Sequence, residues 1–245
     1  MTEPEQVLRQ ALDDLPGTAT VWWRDDDAGR DHPRLHRLLA LAQARQGEPA
    51  LAVVPAWLES RTVDAITACP GTTVLQHGIA HADHARAGEK KVELGGRVTP
   101  ADLQADLLAG TQCLRDAFPV AFLPVLVPPW NRIAPGFVAE LPAWGFAGLS
   151  RFGRATVQSP DWREINTQVD LILWREGRRA MGLPELTAAM IAALRSAAGE
   201  PVGILSHHLA MDEDAFLPLD RVLAVLQDQG RARLVGLRAL LREAG

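Results

Sequence analysis

Short β-rich runs alternate with amphipathic helical patterns from one end of the chain to the other. The pattern predicts helix at 5–14, an extended run at 18–23, helix at 33–46 with Leu35, Leu38 and Leu39 on one face, and an extended run at 50–54. A short helix near 60–68 and the run "TTVL" at 72–75 follow. Thr99 with Pro100 after it marks a capped helix start, and Leu103, Leu107, Leu114 and Phe118 form that helix's apolar stripe. Extended runs are then predicted at 124–127, 146–150, 168–174 and 202–205, with helices at 135–144, 184–198 and 214–229, and "ARLVGL" precedes a terminal helix. Repeated β-then-α order predicts an α/β fold of parallel strands joined by helices, either a barrel or a doubly wound sheet.

With 245 residues, 47% of them hydrophobic, the chain is large enough for one sizeable core, so a single domain over 1–245 is expected. The irregular segments 82–98 and 151–167 have the length of lids or substrate loops. A net charge of −5 without a basic stripe argues against nucleic acid as a partner. The acidic start lacks the pattern of a signal peptide. The most apolar stretch, "VAFLPVLVPPW", is too short to span a bilayer. Cys69 and Cys113 stand apart, outside any Cys-x-x-Cys motif. A cytoplasmic protein without membrane attachment is the expectation; the oligomeric state is left open.

The polar clusters fall where predicted strands end. "RDDDA" (Arg24 to Ala28) follows the first, "HGIAH" (His77 to His81) the third, "PPWN" (Pro128 to Asn131) the next, and "SHH" (Ser206 to His208) a late one. In a parallel barrel those ends share one face, so these residues would converge. Adjacent carboxylates repel unless a cation or proton lies between them. His77 and His81, spaced i, i+4, can aim both imidazoles one way on a helical turn, and one aspartate would complete a donor set. A solvated acidic turn is the plainer reading of Asp25, Asp26 and Asp27. His32 and His36 repeat the spacing and fit the first turns of a surface helix; His84 fits a polar loop.

The order and spacing of these motifs resemble the polysaccharide deacetylase superfamily, carbohydrate esterase family 4, over residues 20–212. The resemblance implies a distorted (β/α) barrel of about seven parallel strands in one domain. It implies a divalent metal held by Asp27, His77 and His81, with zinc first and cobalt, nickel, manganese or iron also compatible. Asp26 is then the catalytic base and His207 the acid. A register shifted by one gives the aspartate roles to Asp25 and Asp26, and His208 is the alternative acid. Pro129, Trp130 and Asn131 fall in the groove-wall motif, whose usual arginine is replaced by Val127; Arg24 or Arg132 is expected to supply the guanidinium. Asp170 with Trp174, ahead of Asp161 with Trp162, is expected to orient the acid histidine. Asp25 caps or orients its loop, with Arg24 as its partner. The implied reaction removes acetyl from an N-acetylated saccharide or saccharide precursor. The alternatives are hydrolysis of another non-peptide carbon-nitrogen bond and a barrel that binds a glycan or protein without turnover.

Overall fold

The structure, a computed structural model, describes residues 1–156, 158–159, 162–228 and 230–242. The chain opens with α1 (Glu3–Asp13), β1 (Ala19–Ala28), α2 (Pro33–Ala44), β2 (Ala50–Val53), α3 (Ser60–Thr67) and β3 (Thr73–His77). A long connection leads to α4 (Pro100–Ala117), β4 (Phe122–Val127), α5 (Pro135–Val138) and β5 (Gly148–Leu149). Five short strands come next: β6 (Gln158–Ser159), β7 (Trp162–Glu164), β8 (Val169–Asp170), β9 (Ile172–Leu173) and β10 (Arg179–Ala180). The chain ends with α6 (Leu183–Ser196), β11 (Val202–Ser206), α7 (Glu213–Asp228), β12 (Ala232–Leu234) and α8 (Leu237–Arg242).

Strands pair in parallel in the order β7-β5-β4-β3-β2-β1-β11-β8, with β12 beside the start of β1 and β6 antiparallel to β7. The sheet curls into a half-barrel whose outermost parallel strands, β7 and β8, follow each other in the chain. Residues 162–170 pair with β5 at their start, bridge Phe152 through Thr167, and pair with β11 at their end. Eight strands therefore make up the curled sheet, where about seven were expected, in the manner of a distorted (β/α) barrel.

The alternation of side chains along each strand sorts the core into two layers. Trp22, Ala50, Ala52, Leu75, Val125 and Val127 fill the interior together with Leu237 and Leu240 of α8. Val21, Trp23, Leu51, Val53 and Val74 face outward beneath a layer that includes α1, α2, α6 and α7. Gly203 lies against the Trp22 ring, where a Cβ would meet Nε1 at 2.6 Å, so β11 needs glycine to let that tryptophan fill the axis.

Two predicted elements differ. The helix expected at 135–144 is one turn, followed by further turns around Pro142 and Gly145. Proline removes a backbone donor there, and Gly145 takes a left-handed φ of 86°. The expected strand 168–174 breaks at Leu171, because the Asp170 carboxylate accepts the Ile172 N–H at 3.0 Å and turns the chain. The segment 82–98 is also no loose lid: Glu93 and Leu94 are both fully buried within it. Among the described residues, no helix is long and apolar enough to cross a membrane.

In the outer layer, Glu5 joins α1 to α7. Its carboxylate accepts the Thr2 N–H, and Arg221 donates to it at 3.0 Å. The Thr2 peptide, then Arg221, hold the Glu5 carboxyl down to about 2 from an ordinary 4.5. A depressed folded value means that the stability Glu5 confers is full above pH 4.5 and lost as pH falls towards 2. Glu5→Gln is therefore expected to be less stable than the parent at pH 6, with the gap closing between pH 4.5 and 2. Urea unfolding midpoints across that range measure it.

Candidate active site

The three aspartates lie inside β1, and one irregularity in that strand separates their fates. Arg24 and Asp26 continue the inward row begun by Trp22, whereas Asp25 continues the outward row of Trp23. At Asp27 the backbone turns left-handed, φ 68°, and the register against β2 slips between Asp25 and Ala28. This local bulge breaks the alternation, so that adjacent Asp26 and Asp27 both serve the barrel mouth. Aspartate is among the few non-glycine residues that take this conformation readily.

Arg24, fully buried, grips Asp26 in a two-pronged pair, Nε to Oδ1 at 2.8 Å and Nη2 to Oδ2 at 3.0 Å. Its remaining donors reach Ser150 Oγ at 2.6 Å, the Arg151 carbonyl at 3.3 Å and Asn131 Oδ1 at 3.2 Å. Of the two arginines expected to take the place of one at Val127, Arg24 is the one that pairs with Asp26. Arg132 points elsewhere, exposed, with a hydrogen bond to the Lys91 carbonyl. The expectation that Arg24 partners Asp25 is not met, because the strand's alternation puts the two on opposite faces.

Asp27 Oδ1 lies 3.2 Å from His77 Nε2 and 3.3 Å from His81 Nε2, and the ligand atoms of all three lie within 4.8 Å of one another. His77 Nδ1–H donates to the Val127 carbonyl at 2.9 Å. In a neutral ring this leaves a lone pair on Nε2 facing a carboxylate oxygen, a pairing that needs a proton or a cation between the atoms. The donor set fits a divalent ion on this ground. Burial alone would raise the Asp27 carboxyl, but the His77 hydrogen bond and the charges of His77, His207 and His81 hold it well below the carboxylate range. Burial lowers both imidazoles; at His81 it prevails over Asp27, while at His77 the hydrogen bond that the protonated ring donates to Asp27 and the nearby carboxylates reverse it and raise the value.

The i, i+4 spacing of these histidines does not come from a helical turn. His77 ends β3, and residues 78–82 form an irregular turn with Gly78 at φ 56° and His81 at φ 57°. Three backbone N–H groups in this turn, of Ile79, Ala80 and Ala82, donate to the carboxylate of Glu93. His84 Nδ1 bonds the Glu93 carbonyl at 2.9 Å and lies outside the donor set. His32 and His36 belong to α2 and its cap: His32 accepts the Arg34 N–H, and His36 pairs with Asp31.

His207 stands opposite, with Nε2 3.9 Å from Asp26 Oδ2 and Nδ1 3.7 Å from Asp170 Oδ1. Trp174 packs edge-on against the His207 ring at 4.8 Å and donates Nε1–H to Asp170 at 2.8 Å. Burial pushes the Asp170 carboxyl up, against the pull of His207 and two hydrogen bonds. Asp161 lies outside the described residues.

Asp25 and His208 are not part of this mouth. Both are fully buried on the outward side, where Asp25 Oδ2 accepts Ser206 Oγ at 2.6 Å and the His208 N–H at 3.0 Å, and Oδ1 meets His208 Nδ1 at 2.5 Å. The two residues named by the alternative readings, Asp25 in the shifted register and His208 as acid, are thus packed together away from the mouth.

The groove-wall motif forms a tight turn, Pro129–Asn131, with Trp130 and Asn131 at φ 55° and 56°. Trp130 packs edge-on to His81 at 4.4 Å, and Pro129 is buried beside Gly78. Of the seven tryptophans, Trp22, Trp23, Trp144 and Trp162 are core, whereas Trp57, Trp130 and Trp174 flank the site histidines. Trp57, Ser150 and Glu93 are the site residues that sequence reasoning missed. Trp57 and Ser150 carried the signal in their place just beyond the ends of β2 and β5.

No family model matches this sequence, and no curated protein matches it. Solved structures do resemble the fold. A Mycobacterium smegmatis protein provisionally described as a polysaccharide deacetylase superposes with a TM-score of 0.69 at 14% identity, over 94% of this chain and 91% of that one. A family 4 acetyl xylan esterase from Clostridium thermocellum, solved with a cobalt ion, gives 0.63 at 16% identity, over 90% and 89%. A Bacillus anthracis pseudoenzyme of the same family gives 0.63 at 13% identity, over 93% and 66%. The fold of this chain is therefore the polysaccharide deacetylase barrel of carbohydrate esterase family 4.

Proposed function

We propose that the protein is a metal-dependent hydrolase, acting as a single domain, that removes the acetyl group from an N-acetylated saccharide or saccharide precursor. The observation that carries this reading is the pairing of Asp26, pinned by Arg24, with His207 across the mouth beside the Asp27, His77 and His81 donors. A divalent ion held by those three donors would supply a Lewis acid and lower the pKa of a bound water. Zinc suits the donors best, and cobalt, nickel, manganese and iron suit them too.

Asp26 takes the proton of the attacking water. The Arg24 fork fixes both carboxylate oxygens, so the accepting lone pair is aimed without reorganisation. His207 gives a proton to the departing nitrogen, with Asp170 facing its other ring nitrogen; such contacts are often long before substrate binds. Water and the amide become acetate and a free amine. Trp57, Trp130 and Trp174 offer apolar faces at the mouth, the surfaces on which a sugar ring packs. The Arg24–Asp26 pair also supports turnover over binding alone, since it places a guanidinium on the base although position 127 is valine.

The test is acetate release from N-acetylglucosamine, its oligomers and nucleotide-linked forms, beside a panel of non-sugar amides, each with added zinc or cobalt and with chelator. Metal-dependent release from a saccharide supports the proposal. Release of product only from non-sugar amides overturns the substrate, and no turnover of any amide overturns the catalytic reading.

A further inference from the structure

The structure assigns Glu93 as a positioning residue for the donor site: its carboxylate sets the path of the chain between His77 and His81. The inference rests on the reading of those histidines as metal ligands.

Glu93 is fully buried, and among the described residues no lysine, arginine or histidine forms an ion pair with it. A buried carboxylate without a cation is costly unless hydrogen bonds to its charged form offset the loss of water. Here the backbone provides them. Oε2 accepts the Ile79 N–H at 3.0 Å, and Oε1 accepts those of Ala80 at 2.8 Å and Ala82 at 2.9 Å. Three donors within four residues around one anion form a cradle of the kind that irregular backbone builds and helices do not.

That cradle is the turn that delivers His81. Without a helix to fix the spacing, and with left-handed backbone at both Gly78 and His81, the turn has no regular hydrogen bonding of its own. Gly78 makes room for the carboxylate: a Cβ there would fall 1.9 Å from Glu93 Oε2 and 2.7 Å from the Pro129 ring. Glu93 is itself tied down on both sides. Its carbonyl accepts from His84, and Leu94 bridges to Ile133, just past the Trp130 turn. One side chain thus fixes the His81 turn relative to the wall that packs on it. It touches no reacting atom, and its effect passes through His81.

The experiment measures cobalt(II) affinity by competition with a chelating dye, and the visible spectrum of the cobalt-loaded protein. The proteins are the full-length parent, Glu93→Gln, Glu93→Ala and Leu219→Ala. Glu93→Gln keeps size and one acceptor oxygen, and supplies a folded variant if the alanine form fails to fold. Both Glu93 variants are expected to bind cobalt about 10- to 100-fold more weakly, the size of effect seen when a partner that orients a metal ligand is lost. Their spectra should change as His81 leaves the coordination sphere, with alanine the more severe. Leu219→Ala removes a fully buried side chain in the helical layer; it should lower Tm and leave cobalt affinity unaltered. Parent-like cobalt affinity and spectrum in both Glu93 variants overturn the assignment. A parent that takes up no cobalt overturns the metal-site reading and this inference with it, whereas a binding parent with unaffected Glu93 variants overturns the inference alone.

Discussion

Arg24→Ala is expected to lower the unfolding free energy by about 3–5 kcal/mol, because it leaves the buried Asp26 carboxylate without the charge that offsets its desolvation. Arg24 and Asp26 have side-chain exposures of 0% and 2%, and the pair is held by two parallel bonds, with Ser150 and Asn131 satisfying the rest of the guanidinium. Lysine should recover little of this loss, since an ammonium cannot reproduce the planar fork. A double variant, Arg24→Met with Asp26→Leu, should regain much of the stability and none of the hydrolysis. Urea unfolding of the three proteins separates the roles. A small loss in Arg24→Ala, below about 1 kcal/mol, would mean that the pair behaves like an exposed one.

His207→Ala should act on chemistry instead. Among the described residues the His207 ring makes no close hydrogen bond, only the longer approaches to Asp26 and Asp170 and the edge contact with Trp174, so the fold should survive its removal. Loss of a general acid lowers kcat by about 10²- to 10⁴-fold, with substrate binding largely kept. His208→Ala should do the opposite. It leaves the buried Asp25 carboxylate short of a partner, at a cost of about 1–3 kcal/mol, while the proton donor stays in place. Steady-state kinetics and thermal unfolding of both variants check the contrast. If His208→Ala loses the larger share of kcat at unaltered stability, the two roles have been exchanged.

That contrast marks how far the sequence could be read. The barrel was legible because its signal is periodic: the alternating strands and capped helices recur in the predicted order, and the strand ends carry the chemistry. The convergence of Asp26, Asp27, His77, His81, Asp170 and His207 followed from that placement. The choice between Asp25, Asp26 and Asp27 was less accessible, since it depends on a register slip of β1 against β2, a long-range pairing. His207 and His208 divide for a related reason: consecutive residues leaving β11 face opposite sides of the sheet. Glu93 could not be found from sequence. It lies 12 residues beyond His81 in a stretch that looks like a polar loop, and its partners are backbone groups, which leave no trace in residue identity.

The central claim is that Asp27, His77 and His81 hold a metal ion. The most direct test is metal content by mass spectrometry on untagged protein, for the parent and for a His77→Ala, His81→Ala double variant, after dialysis against zinc or cobalt. The account predicts close to one metal per parent chain and none above background in the variant. A folded parent that retains no metal under either condition, or a double variant that retains as much as the parent, would contradict it.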